Sequence, residues 1–243
     1  MRKLLKRMSP ARIIALGFAA TIFIGSGLLM LPCSVQNGVD LKYIDALYTS
    51  ASAVCVTGLV TVDIGDTFTA FGQFVVAALI QIGGLGVASM GAGVILAVGK
   101  RINLKGRRVL RDAMNLDSGK GIVKFIKSVF LTTAAFELVG AALSFIVFVR
   151  DYPPLKALGI SLFHSVAAFN NSGFDILGNF QSLSAYKEDV FLNLVTCFLI
   201  FFGGIGFLVI REIVEKRFRW RRFSMHTKVV LTMSVALTVG GAV

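Results

Sequence analysis

Long apolar stretches, separated by short charged segments, run along the whole chain. A helix needs about 20 apolar residues to cross the hydrocarbon core of a bilayer. Four stretches meet this length and predict crossing helices: Ile13–Val39, Thr67–Gly99, Ser128–Val149 and Val190–Ile210. Two others, Ala46–Val62 and Ala157–Phe174, are shorter and rich in Ser, Thr, Asn and Ala. A seventh stretch runs to the C-terminus, and its 15 residues make only about 22 Å of helix.

The charged segments predict the topology. Residues 1–12, 100–127 and 211–228 together hold 21 of the 25 basic residues, which is typical of cytoplasmic segments. If every apolar stretch crossed, residues 100–127 would lie on the far side of the membrane. Both short stretches are therefore predicted to be re-entrant, entering and leaving on the outer face. The N-terminus is predicted to be cytoplasmic, in a multi-pass protein of the cell membrane.

The order of helix, re-entrant loop and helix occurs twice, and the two copies resemble each other. Leu47-Tyr48-Thr49-Ser50 stands 115 residues before Leu162-Phe163-His164-Ser165, and Thr57-Gly58-Leu59 stands 115 residues before Ser172-Gly173-Phe174. Gly83-Gly84-Leu85-Gly86 stands 120 residues before Gly203-Gly204-Ile205-Gly206. The pattern predicts parallel repeats related by an axis along the membrane normal.

These boundaries predict four segments. The first helix–pore loop–helix repeat covers residues 1–100, and a basic cytoplasmic connector covers 101–127. The second repeat covers 128–215, and residues 216–243 form a connector and the start of a third repeat. The fold class is therefore an all-α integral membrane protein, built of repeated units around a pore axis and truncated in its third unit. We expect the chain to be the front part of a longer protein.

Composition agrees with the membrane class. The chain is 56% apolar and only 16% charged, and its mean hydropathy is +0.79. These values exclude a disordered chain, a disulfide scaffold and an ordinary soluble enzyme. The net charge of +12 is attributed to topology and to lipid headgroups, and no nucleic-acid partner is expected. Cys33, Cys55 and Cys197 form no metal-binding pattern.

Glycine-containing loops at membrane depth have a specific use. Non-helical backbone is tolerated there only when it is buried in protein or lines a watery cavity. The short helices Leu41–Val54 and Leu155–Phe169 each precede such a segment, around Gly58 and Gly173. Glycine permits conformations that turn carbonyl groups inward, and such carbonyls can replace the hydration shell of a monovalent cation. The alternative is that both are simple turn glycines.

Four motifs resemble the Trk/Ktr/HKT superfamily of potassium transporters, and most closely its Ktr-type membrane subunit. The motifs are Ser52-Ala53-Val54-Cys55-Val56-Thr57-Gly58-Leu59, Gln81-Ile82-Gly83-Gly84-Leu85-Gly86, Phe169-Asn170-Asn171-Ser172-Gly173-Phe174-Asp175 and Phe202-Gly203-Gly204-Ile205-Gly206-Phe207. The resemblance covers essentially the whole chain. It implies four repeats around one pore, with one key filter glycine in each repeat.

By this resemblance Gly58 and Gly173 are filter glycines. The other filter carbonyls would come from Val56, Thr57, Asn171 and Ser172. In related plant transporters a serine at the first filter glycine accompanies sodium preference, so Gly58 resembles the potassium-permeable form. The implied activity is K⁺ uptake, passive or coupled to Na⁺, with no cofactor bound by this chain.

The family also implies partners. Subunits of this type usually form homodimers and usually sit on a cytosolic ring of nucleotide-binding regulatory subunits. The basic segments 100–127 and 211–228 would face that ring. The run from Lys216 to Arg222 mixes bases with aromatic residues and is typical of membrane-lipid anchoring.

Several polar residues have two interpretations. Glu137, the only acid in a predicted crossing helix, is either an ion-path or pairing acid or a structural hydrogen-bonding group. Asp63, Asp66 and Asp175 follow the loops and either concentrate cations at the pore mouth or are solvated loop charges. His164 is expected to have a packing or hydrogen-bonding role.

Other functions compete with K⁺ uptake. The chain could be a non-conducting partial subunit that only assembles with a full-length transporter. A membrane enzyme using Ser165, His164 or Asp175 has no supporting catalytic pattern. An aquaporin-like channel is disfavoured because Asn-Pro-Ala is absent and the repeats run parallel.

Overall fold

Regular structure in this chain is helical wherever it is described. The computed structural model describes residues 9–87, 89–92, 106, 109–110, 121–217 and 219–242. Within those ranges no β-strand forms, apart from one isolated bridge between Val35 and Phe68. The fold class is therefore all-α, as predicted. Most of the predicted connector 101–127 lies outside the described residues.

Nine α-helices follow one another in the described part of the chain. They are α1 (Pro10–Leu29), α2 (Tyr43–Cys55), α3 (Ile64–Thr67), α4 (Ala70–Leu85), α5 (Ile122–Phe148), α6 (Pro154–Phe169), α7 (Val190–Gly204), α8 (Phe207–Lys216) and α9 (Met225–Ala242). Short 3₁₀ turns at Ser182–Tyr186 and Trp220–Arg222 join the later helices.

Local sequence accounts for several helix starts. Ser9 caps α1, and Pro10 stands at its first turn, where a missing N–H costs nothing. The hydroxyl of Thr69 accepts from the backbone N–H of Gly72 at the start of α4. The carboxylate of Asp189 accepts from the N–H of Leu192 at the start of α7. Each cap satisfies a backbone donor that the helix itself leaves unpaired.

Length and hydropathy identify the candidate membrane spans. Within the described residues, Ala11–Leu29 and Ile122–Phe148 are each long and apolar enough to cross a bilayer. The pair α7 and α8 reaches this length only when it is counted together, and it is bent by 98°. The helices α2 and α6 have 13 and 16 residues, shorter than a span needs. Their positions agree with the predicted short helices.

Four predicted boundaries need correction. The stretch Ile13–Val39 is helical only as far as Leu29, where α1 ends. The stretch Val190–Ile210 is not one helix, because the chain breaks at Gly206, where φ is +85°. The stretch Thr67–Gly99 contains the 16-residue α4. This helix ends at Leu85, and the next residue, Gly86, also has a positive φ. Residues 93–99 lie outside the described part. Helix α5 begins at Ile122, inside the segment predicted as a connector. Its first turns are buried at Ile122, Phe125 and Ile126, and this apolar packing accounts for the earlier start.

The helices pack as two similar units. The first unit comprises α1, α2 and α4, the second comprises α5, α6 and α7, and α4 packs against α6 between them. The hydroxyl of Ser50 donates to the carbonyl of Ile22 at 2.8 Å, and that of Ser165 donates to the carbonyl of Glu137 at 2.7 Å. Both residues of the second contact lie 115 positions after those of the first.

Candidate functional site

The segments that follow α2 and α6 adopt the same backbone conformation. Val56 and Asn171 both have φ of 56°, and Gly58 and Gly173 have φ of 75° and 73°. Left-handed conformations of this kind are costly for a β-branched residue such as Val56. Backbone strain is commonly found where a conformation serves a function.

Matched hydrogen bonds hold both segments to their helices. The N–H of Thr57 donates to the carbonyl of Ser52 at 3.0 Å, and the N–H of Ser172 donates to the carbonyl of Ala167 at 2.9 Å. The neighbouring N–H groups of Val56 and Asn171 are also used in this way. The N–H groups of these four residues thus point back toward the helices.

The carbonyl oxygens of these segments have no such partner. Among the hydrogen bonds of the described residues, none uses a carbonyl of the six candidate filter residues. These residues are Val56, Thr57, Gly58, Asn171, Ser172 and Gly173. A row of unpaired backbone acceptors at the end of a short helix is suited to a cation.

The two segments meet at their glycines. A Cβ atom at Gly58 would lie 3.1 Å from the Cα of Gly173 and would clash with the carbonyl oxygen of Ser172. A Cβ atom at Gly173 would lie 3.5 Å from the Cα of Gly58. Both positive φ and close approach therefore require glycine at position 58.

Two predicted acidic residues face the same space. A cavity of about 180 Å³ is bounded by Gly58, Gly173, Asp63 and Asp175, among others. Asp63 also binds the protein, since its carboxylate accepts from the N–H of Phe180 at 2.6 Å. Asp175 accepts from the N–H of Leu177 at 3.0 Å. Burial raises the pKa of Asp175, and the nearby Asp63 carboxylate raises it further.

Asp66 has a structural role beside this cavity. Its carboxylate accepts from the N–H of Asn179 at 2.8 Å, which ties the first unit to the loop that follows the second segment. A Cβ atom at Gly178 would lie 2.7 Å from the same carboxylate. Asp66 and Asp63 therefore both fasten α3 to residues 178–180.

Glu137 lies away from this cavity. It lines a second cavity of about 470 Å³ between α4 and α6, whose walls include Gln81, Phe74 and Leu162. Its carboxylate accepts from the side-chain amide of Asn170 at 3.2 Å. It thus contacts the residue that precedes the candidate filter segment of the second unit.

His164 is buried behind the second segment. Its Nε2 is 3.0 Å from the hydroxyl of Thr196, and its ring stands edge-on to Phe148. This geometry agrees with the expected packing and hydrogen-bonding role.

The glycines of the two Gly-Gly-x-Gly motifs have different structural roles. Two of them, Gly83 and Gly203, pack closely against backbone. A Cβ atom at Gly83 would clash with the carbonyl of Val54, and one at Gly203 with the carbonyl of Phe169. Gly86 and Gly206 instead adopt positive φ, Gly86 as the C-terminal cap of α4 and Gly206 as the N-terminal cap of α8. The Gly-x-Gly spacing inside an apolar run was the available signal.

Asn170 and Gln81 form a contact that the sequence does not predict. Both belong to the quoted motifs, but nothing in their spacing indicates a contact across 89 residues of sequence. The side-chain amide of Asn170 donates to the Oε1 of Gln81 at 2.9 Å.

Apolar spanning helices, with two glycine loops meeting between them, define an all-helical membrane protein. A profile of the TrkH family, described as cation transport protein, matches residues 7–239. The chain therefore belongs to the TrkH family, as the Trk/Ktr resemblance implied. The description of this family is that of cation transport proteins, not of enzymes.

Curated relatives agree with the family. The chain is 42% identical over 231 residues to the Ktr system potassium uptake protein B of Bacillus subtilis, covering 95% of this chain and 51% of that protein. It is 37% identical over 240 residues to the potassium/sodium uptake protein NtpJ of Enterococcus hirae, covering 99% and 52%. The Ktr system potassium uptake protein D of B. subtilis is 36% identical over 245 residues, covering 99% and 54%. The chain spans about half the length of these relatives.

Proposed function

We propose that this chain contributes to K⁺ uptake across the cell membrane, through a selectivity filter lined by backbone carbonyls. One observation carries the proposal. Two loops with matching left-handed conformations meet at Gly58 and Gly173, and the carbonyl oxygens of their candidate filter residues have no partner among the described residues. Such carbonyls can replace the hydration shell of a cation.

The two units are parallel repeats in this proposal, and each loop is re-entrant. Support comes from the equal spacing of the contacts Ser50–Ile22 and Ser165–Glu137, and from the matched hydrogen bonds of both loops. Re-entrance leaves all three basic segments on the cytoplasmic side, with the N-terminus. The proposed domain division is 1–100, 101–127, 128–215 and 216–243, with α5 extending into the connector.

The chain supplies two of four units in this proposal, as the front part of a longer transporter. The two loops around Gly58 and Gly173 would line only part of the candidate ion path. The curated relatives are about twice as long as this chain, which agrees with two further units. A non-conducting partial subunit is the second candidate function, and the same half-length coverage favours it.

Potassium is the proposed main ion because position 58 carries glycine. An added side chain there would displace the carbonyl of Ser172, which is a candidate filter group. Na⁺ enters as a coupled or alternative ion, and the name of the Enterococcus relative includes both ions. Asp175 and Asp63, which border the same cavity as the glycines, would concentrate cations at its mouth.

The proposed partners are a second copy of the full-length subunit, a cytosolic nucleotide-binding ring and membrane lipids. Arg217, Arg219, Arg221 and Arg222 are exposed beside the half-exposed Trp220. This basic and aromatic surface follows the bent pair α7 and α8, where headgroups or an acidic partner would meet it.

Uptake of K⁺ or Rb⁺ tests the function in cells that lack their own uptake systems. The 243-residue chain and the complete reading frame are expressed separately, and membrane insertion is checked by blotting. Uptake by the complete frame whose K⁺ over Na⁺ ratio falls in Gly58→Ser supports the filter. Uptake by the short chain would mean that copies combine into a pore, whereas an inserted but inactive short chain supports the front-part assignment. An inserted complete frame without K⁺ uptake would overturn the proposal.

A further inference from the structure

Asn170 occupies a special position at the junction of the two units. It is the C-terminal cap of α6, with φ of −81° and ψ of 0°, and it directly precedes Asn171, Ser172 and Gly173. A displacement of its side chain would therefore be passed to the next three residues through the backbone. These residues are the candidate filter segment of the second unit.

Three acceptors surround the side-chain amide of Asn170. Its Nδ2 donates to the Oε1 of Gln81 and to the carbonyl of Val166, both at 2.9 Å, and to the Oε1 of Glu137 at 3.2 Å. A backbone carbonyl can only accept, so the contact with Val166 determines which side of the amide faces this cluster. Gln81 belongs to the first unit and Glu137 to the second.

Gly84 creates the space for this arrangement. A Cβ atom there would clash with the Oδ1 of Asn170. Gln81 and Gly84 are three residues apart in α4 and therefore lie on the same face of that helix. One face of α4 thus both accepts from the Asn170 side chain and makes room for it.

Apolar surroundings make these hydrogen bonds hard to replace. Gln81 and Glu137 line the cavity of about 470 Å³ between α4 and α6, together with Phe74, Leu162 and Phe163. Few other polar groups are available there to satisfy the amide.

The hydrogen-bonded cluster around Asn170 has no counterpart at the equivalent position of the first unit. Position 55 of the first unit corresponds to Asn170 at the spacing of 115 residues. It carries an exposed cysteine, which offers no equivalent amide. The contact therefore orients the second loop against the first unit, which carries Gly58.

We propose that Gln81 and Glu137 are positioning residues for ion selection, because together they hold Asn170 and thereby set the place of the second filter strand beside the first. This inference rests on the proposed K⁺ uptake function. In this inference α4 and α5 position the filter through Asn170. The side chains of Gln81, Glu137 and Asn170 need not touch the ion.

Paired substitutions test the inference in the complete reading frame. Glu137→Leu and Gln81→Leu remove an acceptor, whereas Glu137→Gln keeps a side-chain oxygen for the Asn170 amide. Gly84→Ala displaces Asn170 from the other side. Ser144→Ala is the control in the same helix, since Ser144 is buried in α5 but its hydroxyl has no hydrogen-bond partner in the described structure. Each variant is compared with the wild type at equal membrane abundance.

The readout is the ratio of K⁺ to Na⁺ uptake, together with KM for K⁺. We expect Glu137→Leu, Gln81→Leu and Gly84→Ala to lower the ratio by about fivefold or more. Glu137→Gln and Ser144→Ala should keep a ratio close to that of the wild type. Loss of membrane protein alone would lower total uptake without changing the ratio.

Two failures are distinguishable. If the wild type transports no K⁺, the proposed function fails and this inference fails with it. If the wild type transports K⁺ but Gln81→Leu and Glu137→Leu keep its ion ratio and KM, only the inference is overturned. An equal change in Glu137→Gln and Glu137→Leu would also overturn it, because the charge would then matter and the acceptor would not.

Discussion

Gly58 and Gly173 face each other across the junction of the two units, so that a Cβ atom on Gly58 would lie 3.1 Å from the Cα of Gly173. Both residues have φ near +75°. The tolerance for a side chain differs between them, because the space at Gly58 is the tighter of the two. We therefore expect a substitution at Gly58 to disturb the loops more than the same substitution at Gly173.

Substitution of the loop glycines should change ion preference. We expect Gly58→Ser to lower the K⁺ over Na⁺ uptake ratio by about tenfold, since its Cβ would displace the carbonyl of Ser172. Gly173→Ser is also strained by its positive φ, but its Cβ meets only the Cα of Gly58, at 3.5 Å. Competition uptake assays with both ions measure the effect.

Gly27→Ser is the control for this pair. Gly27 lies in α1, and an added Cβ would meet no atom within 4 Å. It should transport with the wild-type ratio. An unchanged ratio in Gly58→Ser would contradict the filter assignment.

Asp175 should make uptake sensitive to external acid. Its pKa is raised by burial and by Asp63, so its carboxylate loses charge at a pH above the ordinary range for aspartate. As the pH falls, KM for K⁺ should rise by roughly fivefold, the factor that corresponds to about 1 kcal/mol of attraction. Uptake kinetics at a series of external pH values measure this.

Asp175→Asn should show the high KM at every pH. Asp40→Asn is the matched control, because Asp40 is exposed and does not line the cavity. A wild-type pH profile in Asp175→Asn would exclude Asp175 from the mouth of the ion path.

Close helix packing at Gly203 should be sensitive to a single methyl group. We expect Gly203→Ala to lower the free energy of unfolding by about 1–3 kcal/mol, because its Cβ would clash with the backbone carbonyl of Phe169. Gly159→Ala should stabilise slightly or be neutral, since it is helical and an added Cβ meets open space. Thermal unfolding in detergent compares the two variants, and equal stability would contradict the packing role.

Cysteine labelling checks the proposed topology. With Cys33, Cys55 and Cys197 replaced by serine, Asp40→Cys should react in intact cells with a membrane-impermeant maleimide. Arg222→Cys should react only after the cells are opened, because it lies in a basic segment assigned to the cytoplasm. Reaction of Arg222→Cys in intact cells would reverse the assignment.

The sequence by itself was sufficient for the class, the helical architecture and the candidate loops. Apolar length predicts the helices α1 and α5, and the repeated Ser/Thr-Gly motifs locate Gly58 and Gly173 from the sequence alone. Periodicity and hydropathy are local properties, so they can be read along the chain without knowledge of contacts.

Tertiary structure decided the features that depend on partners distant in sequence. Only the fold shows that Gly86 and Gly206 cap helix ends while Gly83 and Gly203 allow close backbone approach, because glycine permits both. Only the fold brings Asn170 to Gln81 across 89 residues, and places Asp63 and Asp175 around one cavity. Contacts of this kind arise from packing between units, and no local pattern of residue types specifies which side chains will meet.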